Sequence, residues 1–422
     1  MIKSWILPNK ARLVVEEIPY LKSAAVGIFI KVGSRHEPPE LSGGSHFIEH
    51  MLFKGTHRRS AREIAESFEG IGGQLNAYTS KEYTCVYART LDENLQDGMD
   101  ILFDMIFNSA FNEKDFETEK GVVIEEINMY EDTPDDLIHD VFAQKIWQGH
   151  SMGSPILGTL ETVSQFKREQ VYDFYRSSYV PANMVIAVAG NVDSQQIRDL
   201  VESHLERVTF RETDFSTKPP QQLTRFTNMV VKDTEQVQIC LGVPGISYFD
   251  ERRFTQNIMN SILGGGLSSR LFQALREERG LAYSVYSSPA NYSDTGAYSI
   301  YVGTGPGKLS SFFEALYSEL DRFLREGVTD EEVHRTQRLI KSSIYMGLES
   351  VMNRMSRLGK ALLMYDRLVP VEEVIERIMA VNREQVNQFA AEILSWDSFS
   401  LAAIGTEEAL ANVENEFKNW WS

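Results

Sequence analysis

His46, Glu49 and His50 fall within five consecutive residues, between Ser42 and Gly55. Ser42 reads as a helix N-cap and Gly55 as the stop beyond the last turn, which predicts a short helix. On it, His46 and His50 are i and i+4, one turn apart on one face. Phe47, Ile48, Met51 and Leu52 supply the side to be buried. Two imidazoles at that spacing can share one zinc ion, which takes neutral nitrogen donors and keeps a position open for water. Glu49 projects beside them. A carboxylate there can take a proton from that water and later deliver it to a leaving amine. The order H-x-x-E-H is the inverted form of a helical zinc-hydrolase motif.

A catalytic zinc site normally has a third protein ligand. The candidates lie on a second expected helix, 113–131, which must end before Thr133 and Pro134. Asn112 and Asp115 form a capping pair at its start. Glu119 and Glu126 are seven residues apart, so they share a face and lie about 10.5 Å apart along the axis. Spacing alone does not choose between Glu119, Glu125 and Glu126.

These helices need a frame. The 422 residues suit two or three domains. A hydrophobic fraction of 42% and a charged fraction of 24% are globular values, which excludes disordered and fibrous classes. Lys plus Arg number 42 and Asp plus Glu 60, a net charge of −18. That surface repels nucleic acid and anionic lipid and favours basic or neutral partners. There is no apolar run long enough to span a membrane. Residues 1–8 carry no signal-peptide core. Cys85 and Cys240 form neither a CxxC pair nor a disulfide framework, so a cytoplasmic location is expected.

The chain repeats itself with a period of about 215 residues. Strand-like segments 12–17 and 24–32, a charged turn at 34–40 and a helix recur as 228–233, 237–243, 244–251 and 254–263. The acidic helix start at 112–116 recurs at 329–333. The apolar strand 184–190 recurs at 399–405, each followed by a helix, 194–205 and 407–417. The expected architecture is α+β. It has two tandem homologous domains, 1–212 and 223–422, joined by a polar linker, 213–222, with Pro219 and Pro220. Each domain should be an antiparallel-dominated sheet with helices packed on one face.

H-x-x-E-H followed by a glutamate 76 residues after His50 resembles the pitrilysin-type (M16) zinc metallopeptidases. The likeness covers essentially the whole chain. The runs His46 to Thr56 and Leu75 to Thr79 are very like the catalytic subunit of mitochondrial processing peptidase. The resemblance implies Zn2+ held by His46, His50 and Glu126, with Glu49 as the base and Glu119 as an accessory glutamate. It implies that Asn76, Ala77, Tyr78 and Thr79 lie where substrate is bound as an added strand.

The second half has no H-x-x-E-H. Its Gly264, Gly265, Gly266 run lacks the ending of a phosphate loop. Gly280 should end a helix there and put Tyr283 at the start of a strand. The resemblance gives Arg276 and Tyr283 the role of holding the substrate carbonyl and steadying the oxyanion. It further implies a homodimer closing as a clamshell, each chain's second domain completing its partner's site. The expected function is a zinc endopeptidase acting on unfolded peptides or short protein segments in an enclosed chamber. Its rival is a non-catalytic or partner-dependent subunit of a heteromeric processing complex.

Overall fold

Two strands of the first half, Ser23–Ile30 and Met184–Gly190, are buried along almost their whole length rather than at every second residue. A strand with one wet face alternates, so these must be covered on both faces. The computed structural model, which describes residues 1–206, 208, 215 and 217–421, shows how. Residues 213, 214 and 216 of the expected linker lie outside the described residues.

The strands are β1 (Ile2–Ile6), β2 (Arg12–Glu17), β3 (Ser23–Ile30), β4 (Gln74–Thr79), β5 (Thr84–Leu91), β6 (Met184–Gly190), β7 (Thr227–Val231), β8 (Val237–Pro244), β9 (Ala282–Asn291), β10 (Gly296–Thr304) and β11 (Ser400–Gly405). They form two sheets, ordered β1-β2-β6-β3-β5-β4 and β7-β11-β8-β10-β9. Without β1, the first order maps onto the second strand for strand. In each sheet one pair is parallel, β2 with β6 and β7 with β11, and the remaining pairs are antiparallel. The repeat read from the sequence is therefore a repeat of topology.

The chain forms two compact units, and they are not the two sequence halves. The first unit contains residues 1–128, 154–218 and 344–369. The second contains residues 129–153, 219–343 and 370–422. In the first unit the main body of helices packs on one face of its sheet, burying Leu13, Val26, Ile28, Val86 and Ile186 against Phe47, Met51, Leu102 and Phe116. The opposite face, with Val14, Ala25, Phe29 and Val185, is covered by the helix Val351–Tyr365 from the second sequence half. That helix buries Val351, Met355, Leu358, Leu362 and Leu363. At roughly 1.5–3 kcal/mol per buried apolar side chain, this is on the order of 10 kcal/mol of gross stabilisation, enough to tie the segment to the first sheet.

The second unit shows the reciprocal exchange. The helix Pro134–Ile146, from the first sequence half, sets Ile138, Val141 and Phe142 against Cys240, Ala402 and Ile404 of the second sheet. A glycine makes room in the equivalent strand of each sheet. A Cβ on Gly27 of β3 would lie 2.3 Å from Met355 Sδ, and one on Gly242 of β8 would lie 2.4 Å from Phe142 Cζ. Both distances are far inside van der Waals contact.

Candidate metal centre

The two histidines and Glu49 come from the helix Gly44–Leu52, which lies on the first sheet with Phe47, Ile48, Met51 and Leu52 buried beneath it. Its N-terminus is not held by Ser42, as the sequence suggested. The N-cap position is Gly43, in the left-handed region at φ 95°, and no cap side chain bonds back. A carboxylate six residues upstream does the work. Glu37 Oε2 accepts from the Gly43 N–H and Oε1 from the Ser45 N–H, both at 2.7 Å. Burial pushes the Glu37 carboxyl up to about 7 against these bonds. The helix ends at Leu52 with Phe53 as C-cap, earlier than a Gly55 stop implies.

Gly43 is required twice over, by its positive φ and by crowding, since a Cβ there would lie 2.6 Å from the Leu157 carbonyl oxygen. Gly43→Ala is expected to destabilise the first unit by about 1–3 kcal/mol. Urea unfolding measures it, and an unchanged midpoint would show that the turn relaxes.

The facing helix, Glu113–Glu131, places the three acidic candidates differently. Glu126 Oε2 lies 3.7 Å from His46 Nε2 and 3.4 Å from His50 Nε2. Glu119 is almost fully buried and meets the other ring nitrogen, its Oε1 lying 2.8 Å from His50 Nδ1. Glu125 points to solvent. His46, His50 and Glu126 are the group among the described residues whose donor atoms, all within 4.8 Å of one another, can hold a metal ion.

The donor set fits zinc. Donors held tetrahedrally at about 2.0–2.1 Å from the ion stand roughly 3.3–3.5 Å from each other, close to the two separations found. The protonation logic agrees. An ionised carboxylate only accepts, so Glu119 requires the proton of neutral His50 to be on Nδ1, leaving the Nε2 lone pair toward Glu126. A lone pair facing a carboxylate repels it unless a cation or proton lies between. His46 Nδ1, by contrast, is buried with no hydrogen-bond partner among the described residues.

The fields around these groups are strong. Burial pulls His50 down, but its bonds to Glu119 and Glu126 outweigh that and hold it at about 9. Burial, and then the like charge of His50, push His46 down to about 4. Glu126 is held low, chiefly by its bond to His50. Burial raises the Glu49 carboxyl, partly opposed by a 2.6 Å hydrogen bond donated by Thr79 Oγ1 to its Oε2.

Thr79 ends β4, the edge strand of the first sheet. Of the four residues expected near substrate, Ala77 is buried and Asn76 exposed. Tyr78 packs with Tyr83 and Tyr87 on the sheet face that the exchanged helix covers. The Ala77 N–H is engaged by Asn76 Oδ1 at 2.8 Å.

Known proteins share both the sequence pattern and the fold of this chain. Residues 12–160 match the family model described as insulinase (peptidase family M16), and residues 165–340 match the one described as peptidase M16 inactive domain. The chain belongs to the M16 peptidase family. It is 43% identical over 410 residues to the uncharacterized zinc protease YmxG of Bacillus subtilis, covering 96% of this chain and 98% of that one. An uncharacterized zinc protease of Streptomyces coelicolor is 38% identical, with 96% and 89% covered. A Helicobacter pylori protease shares the fold at TM-score 0.91 with 21% identity, covering 96% of this chain and 99% of that one. So does an M16 inactive-domain structure from Pseudomonas fluorescens, at TM-score 0.88 with 19% identity, covering 96% and 98%.

Arg276 and Tyr283 of this M16 member lie in the second unit. Arg276 sits on a π-helical turn, Phe272–Glu277, where an α-helix was expected. Such turns recur at functional positions. The expected helix stop at Gly280 (φ 58°) holds, and β9 follows from Ala282. Tyr283 is 75% exposed and not part of the core. The Arg276 guanidinium lies 5.2 Å over its ring. Arg276's nearest ion pair, with Glu277, is long at 4.0 Å. Glu37 escaped the sequence reading because capping rules look to the adjacent residue. Among the described residues no helix is long and apolar enough to cross a membrane.

Proposed function

We propose that this M16 member is a zinc endopeptidase that hydrolyses unfolded peptides or short protein segments within an enclosed chamber. One observation carries the reading: three metal-binding donors converge in the first unit, and Glu49, from the same helix as two of them, stands beside them. Zinc held by His46, His50 and Glu126 supplies a Lewis acid that acidifies water and polarises the scissile carbonyl. Glu49 takes the proton of the attacking water and returns it to the leaving amine. Its bond from Thr79 restrains the rotation of the carboxylate during both transfers. Glu119 keeps the His50 ring in the tautomer that frees Nε2. The segment Asn76, Ala77, Tyr78 and Thr79 receives substrate as an added strand on the open edge of β4. Main-chain bonds there give affinity with little demand on sequence.

Arg276 and Tyr283 donate to the oxyanion. The exposure of Tyr283 suits a residue that acts outside its own unit. In the proposed homodimer these two residues serve the partner's zinc site, the two chains closing as a clamshell. A chamber of that kind excludes folded proteins. The cytoplasm is the proposed compartment.

The direct test is cleavage of an unstructured, basic fluorogenic peptide by the purified chain, through chelation and zinc re-addition. Activity should vanish and return. Silence with zinc bound favours the second reading, a partner-dependent or non-catalytic subunit, to which the "inactive domain" description of residues 165–340 lends support. Mixing Glu49→Gln chains with Arg276→Ala chains tests completion across chains. Each is expected to be inactive alone. Random re-association makes about half the dimers mixed, each with one intact site of two, so about a quarter of wild-type activity should return. No recovery, with chain exchange verified, would mean that the site is completed within one chain.

A further inference from the structure

Lys54 lies just beyond the C-terminal end of the motif helix, four residues after His50, and belongs to no step described above. Its Nζ lies 2.6 Å from Glu119 Oε2. The other oxygen of that carboxylate is the one on His50 Nδ1, at 2.8 Å. Glu119 therefore spans two partners, one oxygen hydrogen-bonded to His50 and the other in an ion pair with Lys54. Its side chain is 3% exposed, while that of Lys54 is 36% exposed. A carboxylate so deeply placed needs a counter-charge, and a pair with one wet partner meets that need without burying an ammonium.

We propose that Lys54 is a positioning residue for the metal centre. Held by Lys54, Glu119 cannot turn its Oε1 away from His50, and the His50 proton stays on Nδ1. The other tautomer would put hydrogen on Nε2, the atom that faces Glu126 and His46. The burden falls on His50, because His46 Nδ1 has no such partner among the described residues. Lys54 thus acts on zinc through two intermediaries, Glu119 and His50, and touches neither metal nor substrate. Arginine at this place can make the same ion pair; an apolar side chain of similar length cannot.

The inference rests on His50 being a zinc ligand, and zinc binding can be read without any peptide. The experiment measures zinc affinity by competition with a chromophoric chelator at fixed pH, for the wild type, Lys54→Met, Lys54→Arg, Glu119→Gln and the Lys54→Met/Glu119→Gln pair. Loss of a group that orients a ligand typically weakens metal binding about 10–100-fold, and Lys54→Met should fall in that range. Lys54→Arg should restore most of it. The double variant should bind no more weakly than Glu119→Gln alone, because both changes break one chain of contacts. Should Lys54→Met fail to unfold cooperatively, Lys54→Gln, which keeps a donor but no charge, is measured in its place and should also weaken binding. Equal zinc affinity in the wild type and the uncharged variant would reject the role of Lys54 alone, as would additive losses in the double variant. A wild-type chain that binds no zinc would reject the metal-site reading instead.

Discussion

The Glu49→Gln chain is expected to keep its zinc and to lose at least about 10²–10⁴-fold in kcat/KM for peptide hydrolysis, the usual contribution of a positioned acid–base group. The substitution is nearly isosteric. The carboxamide oxygen can still accept from Thr79, so the helix and its histidines have no reason to move. What is removed is the ability to take a proton from water and return it to the amine. The burial that raises the Glu49 carboxyl makes it a better proton acceptor than an exposed glutamate. Two measurements are needed on one preparation: steady-state hydrolysis of the fluorogenic peptide and metal content of the dialysed protein. Unchanged turnover would remove Glu49 from the reaction. Loss of zinc would show that Glu49 has a ligand role.

The acidic helix yields the second large effect, which comes as a ranking. Glu126→Ala should lower zinc affinity by more than the roughly 10–100-fold expected when a ligand's supporting partner is lost. It removes one of three donors that converge within 4.8 Å. Glu119→Ala should fall inside that range, because it leaves all three donors but frees the His50 ring. Glu125→Ala should do nothing measurable, since that side chain points to solvent. Chelator competition on the three variants tests the order. A Glu119 effect larger than that of Glu126 would exchange their roles. A Glu125 effect of either size would mean that the helix is rotated about its axis so that Glu125 faces the site.

The ranking also shows where sequence reasoning stops. His46, Glu49 and His50 are close in the chain, and a 3.6-residue period brings i and i+4 together whatever the rest of the molecule does. The third donor arrives 76 residues later on another helix. Its identity depends on how that helix is turned about its own axis. Glu119 and Glu126 share a face, so periodicity admits both, and both do face the site, one on Nε2 and the other on Nδ1. Family resemblance separated them in the sequence; in the structure they differ in the His50 nitrogen each one meets. Lys54 shows the same limit, since its carboxylate partner lies 65 residues away and surface lysines carry no mark of such pairing.

By itself, then, the sequence determined what is local or repeated: the paired histidines and their glutamate, the strands and helices of each half, and the doubled order of elements. These follow from backbone periodicity and from patterns that recur within one chain. Only the tertiary structure decided which residue caps the motif helix, where Glu37 acts from six positions away in place of Ser42. It alone showed that each sheet takes a helix from the other half of the sequence, so that β3 and β6 are covered on both faces where helices on one face were expected. A buried face asks for apolar partners and does not specify which segment supplies them. That choice is made by the fit of Met355 against Gly27 and of Phe142 against Gly242, contacts between residues more than 90 positions apart.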